Sequence, residues 1–310
     1  MEGVLLLLAR RPASKPRQTG GRFPMTFLIA SQILNGFATG MLYALVGVGL
    51  TLVLGVLNIP NFAHGALYAF GAYFTYMVAT FTNSFYAGIL LGPLLVVLMG
   101  FVLESQGIRR LYSAHHDYQL LFLFAIALIL QETIILVWGP VGFSLLPPEG
   151  LGGAVHLGFT VYPKYRLALI VFTLFIVLLL YLFLIRTNVG AIVRAGIENR
   201  EMVSVLGTNI NKVFFYTFGL GAYLAGLAGG LSTPVMGLTP SMGLDILPIS
   251  FVIVVIAGLG SILGAIGAGI LIGLTQSLTS IWWPEAANVA IYLMMGLVII
   301  LRPQGLFGTR

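Results

Sequence analysis

The chain has 310 residues, of which 59% are apolar and only 8% are charged. Soluble globular domains carry roughly 25% charged residues, so this composition excludes an ordinary soluble fold. The net charge is +6, but five of the fifteen basic residues lie in the first 22 positions and most others lie between apolar runs. We interpret these basic residues as parts of loops that face the cytoplasm and anionic lipid, and we expect no nucleic-acid partner.

Residues 1–24 precede the first long apolar run. Their only apolar stretch, 4–9, comes before Arg10 and Arg11, whereas a signal peptide has its basic residues first. We expect residues 1–24 to be a disordered N-terminal extension, with Met25 as an alternative start. Residues 25–310 are predicted to form a single transmembrane domain.

Long stretches of the chain contain no Asp, Glu, Lys or Arg; the first runs from 23 to 103. A membrane-spanning helix needs about 20 apolar residues, whereas the strands of membrane barrels alternate over short segments. The chain is therefore predicted to be all-α, a polytopic membrane helical bundle with about eight to ten passes. The predicted helices are 27–56, 65–82, 85–104, 118–138, 166–185, 213–235, 246–280 and 286–301.

Two predicted helices, 27–56 and 246–280, are longer than one bilayer thickness and are rich in glycine. Each is either a long tilted helix or a broken one with a re-entrant half. Small residues spaced by four allow close helix packing, and we expect that role for three sets. The sets are Gly36 with Gly40, then Gly221 with Ala225 and Gly229, and Gly260 with Gly264 and Ala268.

Basic residues predict which loops face the cytoplasm. Segment 105–117 contains Arg109 and Arg110, and segment 186–212 contains four basic residues, so both are assigned to the cytoplasm. Two passes between them place the loop 139–165 outside. Counting backward from 105–117 with single passes places the N-terminus outside as well. The basic residues of the N-terminus argue against this placement, because basic segments favour the cytoplasm.

Several enzymatic motifs are missing from the sequence. There is no G-x-x-x-x-G-K-[ST] phosphate loop, no H-E-x-x-H, no G-x-S-x-G and no cysteine. His115 and His116 are adjacent and point to different helix faces, so they make a poor metal pair. The chain is predicted to have no catalytic residues, no metal site and no cofactor of its own.

Segment 190–211 is predicted to be a short amphipathic helix between two membrane spans. Arg194 and Glu198 are four residues apart, where opposite charges attract. Gly207 is expected to end the helix in a left-handed conformation, and Asn211 to cap the next helix. These residues are compatible either with a simple connector or with a docking element for a soluble partner.

Polar residues within apolar runs are candidates for a substrate pathway, because they are costly in lipid unless satisfied. Asn58, Asn61 and His64 flank Pro60, which interrupts a helix. A broken helix exposes backbone groups that can hold a zwitterion, although these side chains could equally satisfy the broken backbone at a cytoplasmic turn. Gln131 and Glu132 are further candidates, with a helix end at the external interface as the alternative.

Four blocks, in order, resemble branched-chain amino-acid ABC permeases of the LivH type. N-F-A-H-G at 61–65 is a specific marker, and A-G-L-G-S-I-L-G-A-I-G-A-G at 257–269 and R-P-Q-G-L-F at 302–307 also match. Segment 190–211 resembles the family's cytoplasmic loop, except that Asn199 stands where Asp is common and Thr208 where Ile is common. By this resemblance the residues that couple to an ATPase are Arg194, Glu198, Asn199, Arg200, Glu201 and Gly207.

The resemblance implies a transport subunit of the bacterial inner membrane that imports branched-chain or related amino acids. It further implies two cytoplasmic ATPase subunits that bind the ATP, a second and different permease chain, and a periplasmic amino-acid-binding protein. The alternative is a self-sufficient secondary transporter or channel. Ion-coupled carriers usually place ionisable groups in mid-membrane, and this chain has almost none there.

Overall fold

A computed structural model describes residues 25–112, 114–158 and 160–308, without the side chains of Arg200 and Glu201. The predicted extension 1–24 lies outside the described residues. Two short strands, β1 (Ala154–His156) and β2 (Val161–Pro163), pair antiparallel. The helices are α1 (Met25–Leu57), α2 (His64–Thr82), α3 (Phe85–Val102), α4 (His116–Trp138), α5 (Lys164–Arg186), α6 (Asn188–Val205), α7 (Ile210–Met236), α8 (Met242–Ala257), α9 (Ile262–Trp282) and α10 (Ala287–Leu301).

The predicted polytopic helical bundle is confirmed. Seven helices of the described chain are long and apolar enough to cross a membrane: α1, α3, α4, α5, α7, α9 and α10. Helix α8 has only 16 residues, and it packs with α2 against α1. The sequence predicted about eight to ten passes, and the described chain has seven helices of this length, besides the shorter or less apolar α2 and α8. Helices α1 and α7 are the most enclosed, so they form its centre.

The two apolar runs that exceed one bilayer thickness form different structures. The run 27–56 forms one continuous helix, α1, whereas 246–280 is broken into α8 and α9. At the break, Gly258 and Gly260 have φ values of 89° and 79°, in the left-handed region that ends a helix. Ser261 then caps α9, because its hydroxyl accepts a hydrogen bond from the Gly264 N–H at 3.1 Å.

Glycine contacts hold the central helices together. A Cβ at Gly40 would lie 2.8 Å from the Ile270 Cα of α9, and a Cβ at Gly229 would lie 1.9 Å from the Tyr68 carbonyl oxygen of α2. The predicted packing role is therefore correct for these two sets of small residues. Gly260 lies in the α8–α9 break and not in a helix, although a Cβ there would still lie 2.9 Å from the Ile197 Cγ2 of α6.

The bundle has two ends. At one, which we call the α6 end, α6 meets the break between α8 and α9. At the same end the Tyr112 ring of the turn 103–112 packs on Phe214 at the start of α7, with centroids 4.9 Å apart. At the opposite end, Phe143 pairs through its backbone with Leu238, and Arg166 donates a hydrogen bond to Asn35 near the start of α1.

Helices α4 and α5 separate the segments 105–117 and 186–212, which accordingly lie at the same end. The loop 139–165 and the start of α1 lie at the opposite end, in line with the two-pass prediction.

We expect single cysteines replacing Gln106 and Ser204, which are both exposed, to react with a membrane-impermeant thiol reagent from the same side. A cysteine replacing Glu149 should react from the other side. The chain has no native cysteine, so labelling of Gln106→Cys and Ser204→Cys from opposite sides would refute this topology.

Candidate functional site

Helix α6 is bounded by two well-formed caps. The Thr187 hydroxyl accepts a hydrogen bond from the Gly190 N–H at 3.0 Å, which begins the helix. At its end Gly207 has φ 83°, as predicted, and the N–H groups of Gly207 and Thr208 donate to the carbonyls of Ser204 and Val203. This pattern is a Schellman motif, which satisfies the last carbonyls of a helix.

The predicted single helix is in fact two segments that meet at Asn199. Its backbone is extended there, with φ −156° and ψ 95°, and its Oδ1 accepts a hydrogen bond from the Met202 N–H at 3.0 Å. Asn199 thus caps the second segment, a role suited to its short polar side chain. Glu198 and Glu201 therefore do not belong to one continuous helix, since the helix is interrupted between them.

The other charged residues of α6 differ in part from expectation. Arg194 and Glu198 are both exposed, and they form no ion pair within the described residues. The side chains of Arg200 and Glu201 lie outside the described part of the structure. The predicted cap at Asn211 is also wrong: Asn209, whose backbone is extended two residues after Gly207, accepts from the N–H groups of Asn211 and Lys212.

The second segment of α6 presents an exposed apolar patch, formed by Met202, Val205 and Leu206. Their exposed fractions are 56%, 81% and 77%. The patch lies between two membrane spans, α5 and α7. Contiguous exposed apolar side chains rimmed by polar groups mark contact surfaces. The exposed apolar side chains of α6 are therefore compatible with a contact surface.

An ion pair with a buried carboxylate fixes the turn 103–112. The Glu104 carboxylate is fully buried and accepts hydrogen bonds from Arg109 at 2.7 and 3.1 Å and from the Tyr112 hydroxyl at 2.8 Å. Burial and the neighbouring Glu104 raise the pKa of Tyr112, so its hydroxyl keeps its proton and donates. Sequence reasoning missed this cluster, although Glu104 is the first charged residue after a long apolar run.

The segment between α1 and α2 bends back into the bundle. Asn58 is exposed, has φ 56° and ends α1, while Asn61 accepts a hydrogen bond from the Ala63 N–H at 3.1 Å. Asn61 and His64 are buried, and His64 reaches Val46, which lies 11 positions before the end of α1. The structure therefore brings Asn61 and His64 together deep in the bundle, with Asn58 at the α6 end.

His64 has a defined tautomer. Its Nε2 lies 3.1 Å from the carbonyl oxygen of Val46, which can only accept a hydrogen bond, so Nε2 carries the proton. Nδ1 is then an acceptor, and it has no partner among the described atoms; the Asn61 Nδ2 donor is likewise unpartnered. Buried polar groups are nearly always satisfied, so such a donor and acceptor point to a ligand or water.

Gln131 and Glu132 lie elsewhere, in α4. Gln131 is half-buried and Glu132 is exposed, and neither is hydrogen-bonded to Asn61 or His64. They are not at a helix end, since α4 continues to Trp138.

A further polar network joins α1, α9 and α10. The Tyr43 hydroxyl donates to Gln276 at 2.9 Å, and Gln276 donates to Asn288 at 2.9 Å. The Ser277 hydroxyl donates to the backbone carbonyl of Gln32 at 2.7 Å. The run T-Q-S-L-T-S at 275–280, within an apolar helix, was the available signal.

An enclosed bundle of membrane helices, an exposed helix between two spans and buried polar groups are features of a membrane transport subunit. The chain belongs to the family of branched-chain amino acid transport system permease components, whose model matches residues 32–301. The predicted resemblance to this family is thereby confirmed, and the chain is a multi-pass protein of the inner membrane.

Named relatives agree with this assignment. The chain is 27% identical to the high-affinity branched-chain amino acid transport system permease protein BraD of Pseudomonas aeruginosa, over 92% of this chain and 97% of BraD. It is 29% identical to the permease protein LivH of Escherichia coli K12, over 89% of this chain and 94% of LivH. It is also 24% identical to LivM of the same strain, over 90% of this chain and 71% of LivM.

Proposed function

We propose that this chain is the permease subunit of an ABC importer for branched-chain or related amino acids. In this role it forms the translocation pathway and couples to separate ATPase subunits. The family match over residues 32–301 and the names of BraD and LivH support the substrate class. The sequence has no phosphate loop, which supports binding of ATP by partner subunits and no enzymatic role for this chain.

The proposed complex also contains two ATPase subunits, a periplasmic amino-acid-binding protein and a second, different permease chain. The second permease is supported by the relatives, because one Escherichia coli strain has two permease proteins, LivH and LivM, and this chain resembles both. The two would enclose the pathway together, as paired halves of one transporter.

The proposed ATPase contact is α6. Its second segment is held rigid by the Asn199 cap and the Schellman motif at Gly207, and it displays the apolar patch. Arg194 and Glu198, which are exposed on the first segment of α6, add charge to the proposed surface, and Arg200 and Glu201 belong to it as well. A rigid apolar centre with a charged rim is the usual anatomy of a protein–protein contact.

The proposed substrate pathway passes Asn61 and His64. The free Asn61 Nδ2 can donate to a carboxylate and the free His64 Nδ1 can accept from an ammonium group, which are the two charged groups of an amino acid. Asn58 lines a cavity of about 200 Å³ at the α6 end together with Tyr112, His116 and Gln119, which suits an exit. Gln131 and Glu132 stay as predicted contacts nearer the opposite end.

A self-sufficient secondary transporter is less compatible with the structure. Such carriers place unpaired or exchangeable ionisable groups near mid-membrane. In the described chain the fully buried carboxylate is Glu104, and it is paired with Arg109 at the α6 end. The pattern therefore favours a permease driven by a partner.

Affinity capture of the tagged chain from its native membrane tests the proposal. We expect the wild-type chain to retain an ATPase, and Leu206→Ser and Glu198→Lys each to reduce the retained ATPase. Truncating a central contact residue typically costs more than about 1 kcal/mol, so the loss should be about fivefold or more for Leu206→Ser.

Two matched variants at the opposite end control for this result. Leu146 is 80% exposed and Glu149 is also exposed, so Leu146→Ser and Glu149→Lys make the same chemical changes away from α6. Both should retain the ATPase. Undiminished capture by Leu206→Ser and Glu198→Lys would make α6 a mere connector, and failure of the wild-type chain to retain any ATPase would overturn the proposed function itself.

A further inference from the structure

The α8–α9 break is clamped on one side by the C-terminal segment. The Leu306 N–H donates to the Ile256 carbonyl at 2.8 Å, and the Phe307 N–H donates to the Ala257 carbonyl at 3.1 Å. Gly258 and Gly305 approach so closely that a Cβ on Gly305 would lie 2.4 Å from the Gly258 nitrogen. The last turn of α8 is therefore fastened to the end of the chain by backbone hydrogen bonds.

On its other side the break contacts α6 through the side chain of Ile197. A Cβ on Gly260 would lie 2.9 Å from the Ile197 Cγ2, and a Cβ on Gly55, near the end of α1, would lie 3.2 Å from the Ile197 Cγ1. Ile197 thus lies between α1 and the break, two positions before the Asn199 interruption. The absence of side chains on both glycines allows this close contact.

The far end of α8 touches the buried polar segment. A Cβ on Gly65, the residue after His64, would lie 2.1 Å from the Gly243 carbonyl oxygen in the first turn of α8 and 3.0 Å from the Leu247 Cβ. Helix α8 has 16 residues, which corresponds to a length of about 24 Å. It therefore connects the Ile197 contact at the α6 end with the surroundings of Asn61 and His64.

We infer that Ile197 is a positioning residue of transport, through which movement of α6 is transmitted to α8 and so to the buried polar segment. The inference rests on the proposed function, since it requires that an ATPase moves α6. Packed interiors are bistable and have little free volume, so a displaced side chain at a glycine contact moves the backbone it touches. Ile197 acts through α8 and does not itself touch substrate.

The test uses the complex retained by the wild-type chain, reconstituted in lipid nanodiscs. ATP hydrolysis is measured with and without the transporter's binding protein loaded with L-leucine. We expect the Ile197→Ala complex to assemble normally. Loaded binding protein should stimulate its ATP hydrolysis at least about fivefold less than in the wild type, because fivefold is the lower end of typical coupling between sites. The concentration of loaded binding protein that gives half-maximal stimulation should stay unchanged.

Two variants separate transmission from folding. Ile197→Val keeps most of the contact and should keep most of the stimulation. Ile192→Ala removes the same number of atoms from a half-buried isoleucine of the same helix, and it should leave the stimulation close to wild type, because the atoms nearest Gly55 and Gly260 belong to Ile197.

A compensating pair tests the contact directly. Gly55→Ala adds a methyl group facing Ile197, and in the Ile197→Ala background this methyl group occupies part of the vacated space. The double variant should recover stimulation relative to Ile197→Ala, a non-additive result expected only for residues in contact.

The inference would be overturned if the Ile197→Ala complex kept the wild-type stimulation of ATP hydrolysis, or if the Ile192→Ala complex lost as much of it. Either result would leave ATPase capture, and so the proposed function, intact. Strictly additive effects of Gly55→Ala and Ile197→Ala would overturn it as well. If the wild-type chain retains no ATPase, the proposed function fails first and the inference falls with it.

Discussion

Replacing Gly273 with leucine is expected to prevent the chain from folding. A Cβ at Gly273 would lie 2.4 Å from the Cα and nitrogen of Gly40 and 2.5 Å from the Gly36 carbonyl oxygen. These are backbone atoms of α1, which cannot move aside as a side chain would, and α1 and α9 form the most extensive helix pair of the described bundle. The cost should reach or exceed the roughly 3 kcal/mol at the upper end of overpacking penalties.

The measurement is the yield and thermal unfolding of the detergent-solubilised protein. Gly296→Leu is the matched control: Gly296 also lies within a membrane helix, α10, but open space surrounds its Cα. We expect Gly296→Leu to fold as the wild type does and Gly273→Leu to yield no monodisperse protein. A Gly273→Leu variant with wild-type yield and unfolding temperature would contradict the α1–α9 packing.

Replacing His64 with glutamine is expected to slow transport without unfolding the protein. The glutamine Nε2 occupies nearly the place of the histidine Nε2 and can still donate to the Val46 carbonyl, but glutamine has no acceptor at the place of Nδ1. A lost hydrogen bond to a charged substrate group is worth about 1.5–3 kcal/mol, so transport should fall by about tenfold or more. Uptake of radiolabelled L-leucine and thermal unfolding are measured together.

His64→Asn makes the opposite change, because the asparagine amide lies near the place of Nδ1 and does not reach Val46. It should lower the unfolding temperature more than His64→Gln does. Normal uptake by His64→Gln would show that His64 only joins α2 to α1, which was the alternative interpretation of the sequence at this turn.

The apolar runs predicted the helices because a membrane-spanning helix requires a long stretch without charge, and such stretches are visible directly in the sequence. The same runs did not show where α8 ends and α9 begins. Six glycines lie within 246–280, and only Gly258 and Gly260 adopt left-handed φ values. The C-terminal segment holds this break through hydrogen bonds between residues 50 positions apart along the chain.

The candidate site was predictable where short-range chemistry decides it. Gly207 ends α6 as expected, because a left-handed residue after a helix strongly favours glycine. Asn199 was expected to continue the helix, yet its side chain caps a new segment, and local side-chain capping competes with helix continuation in a way that helical periodicity does not reveal.

Long-range partners were not predictable. His64 was recognised as a buried polar residue, but its bond to Val46 depends on how the segment between α1 and α2 folds back. Glu104 and Arg109 are five residues apart, a spacing that a regular helix does not bring together, and they meet because a π-helical turn at Leu103–Gly107 and a 3₁₀ turn at Ile108–Leu111 change the winding.

The most direct test of the account is L-leucine uptake into proteoliposomes that contain either this chain alone or the complex it retains. We predict that the complex imports leucine when ATP is supplied on the α6 side and loaded binding protein on the other. The chain alone should import none, with or without a proton or sodium gradient. Gradient-driven uptake by the chain alone would contradict the account and identify a self-sufficient transporter.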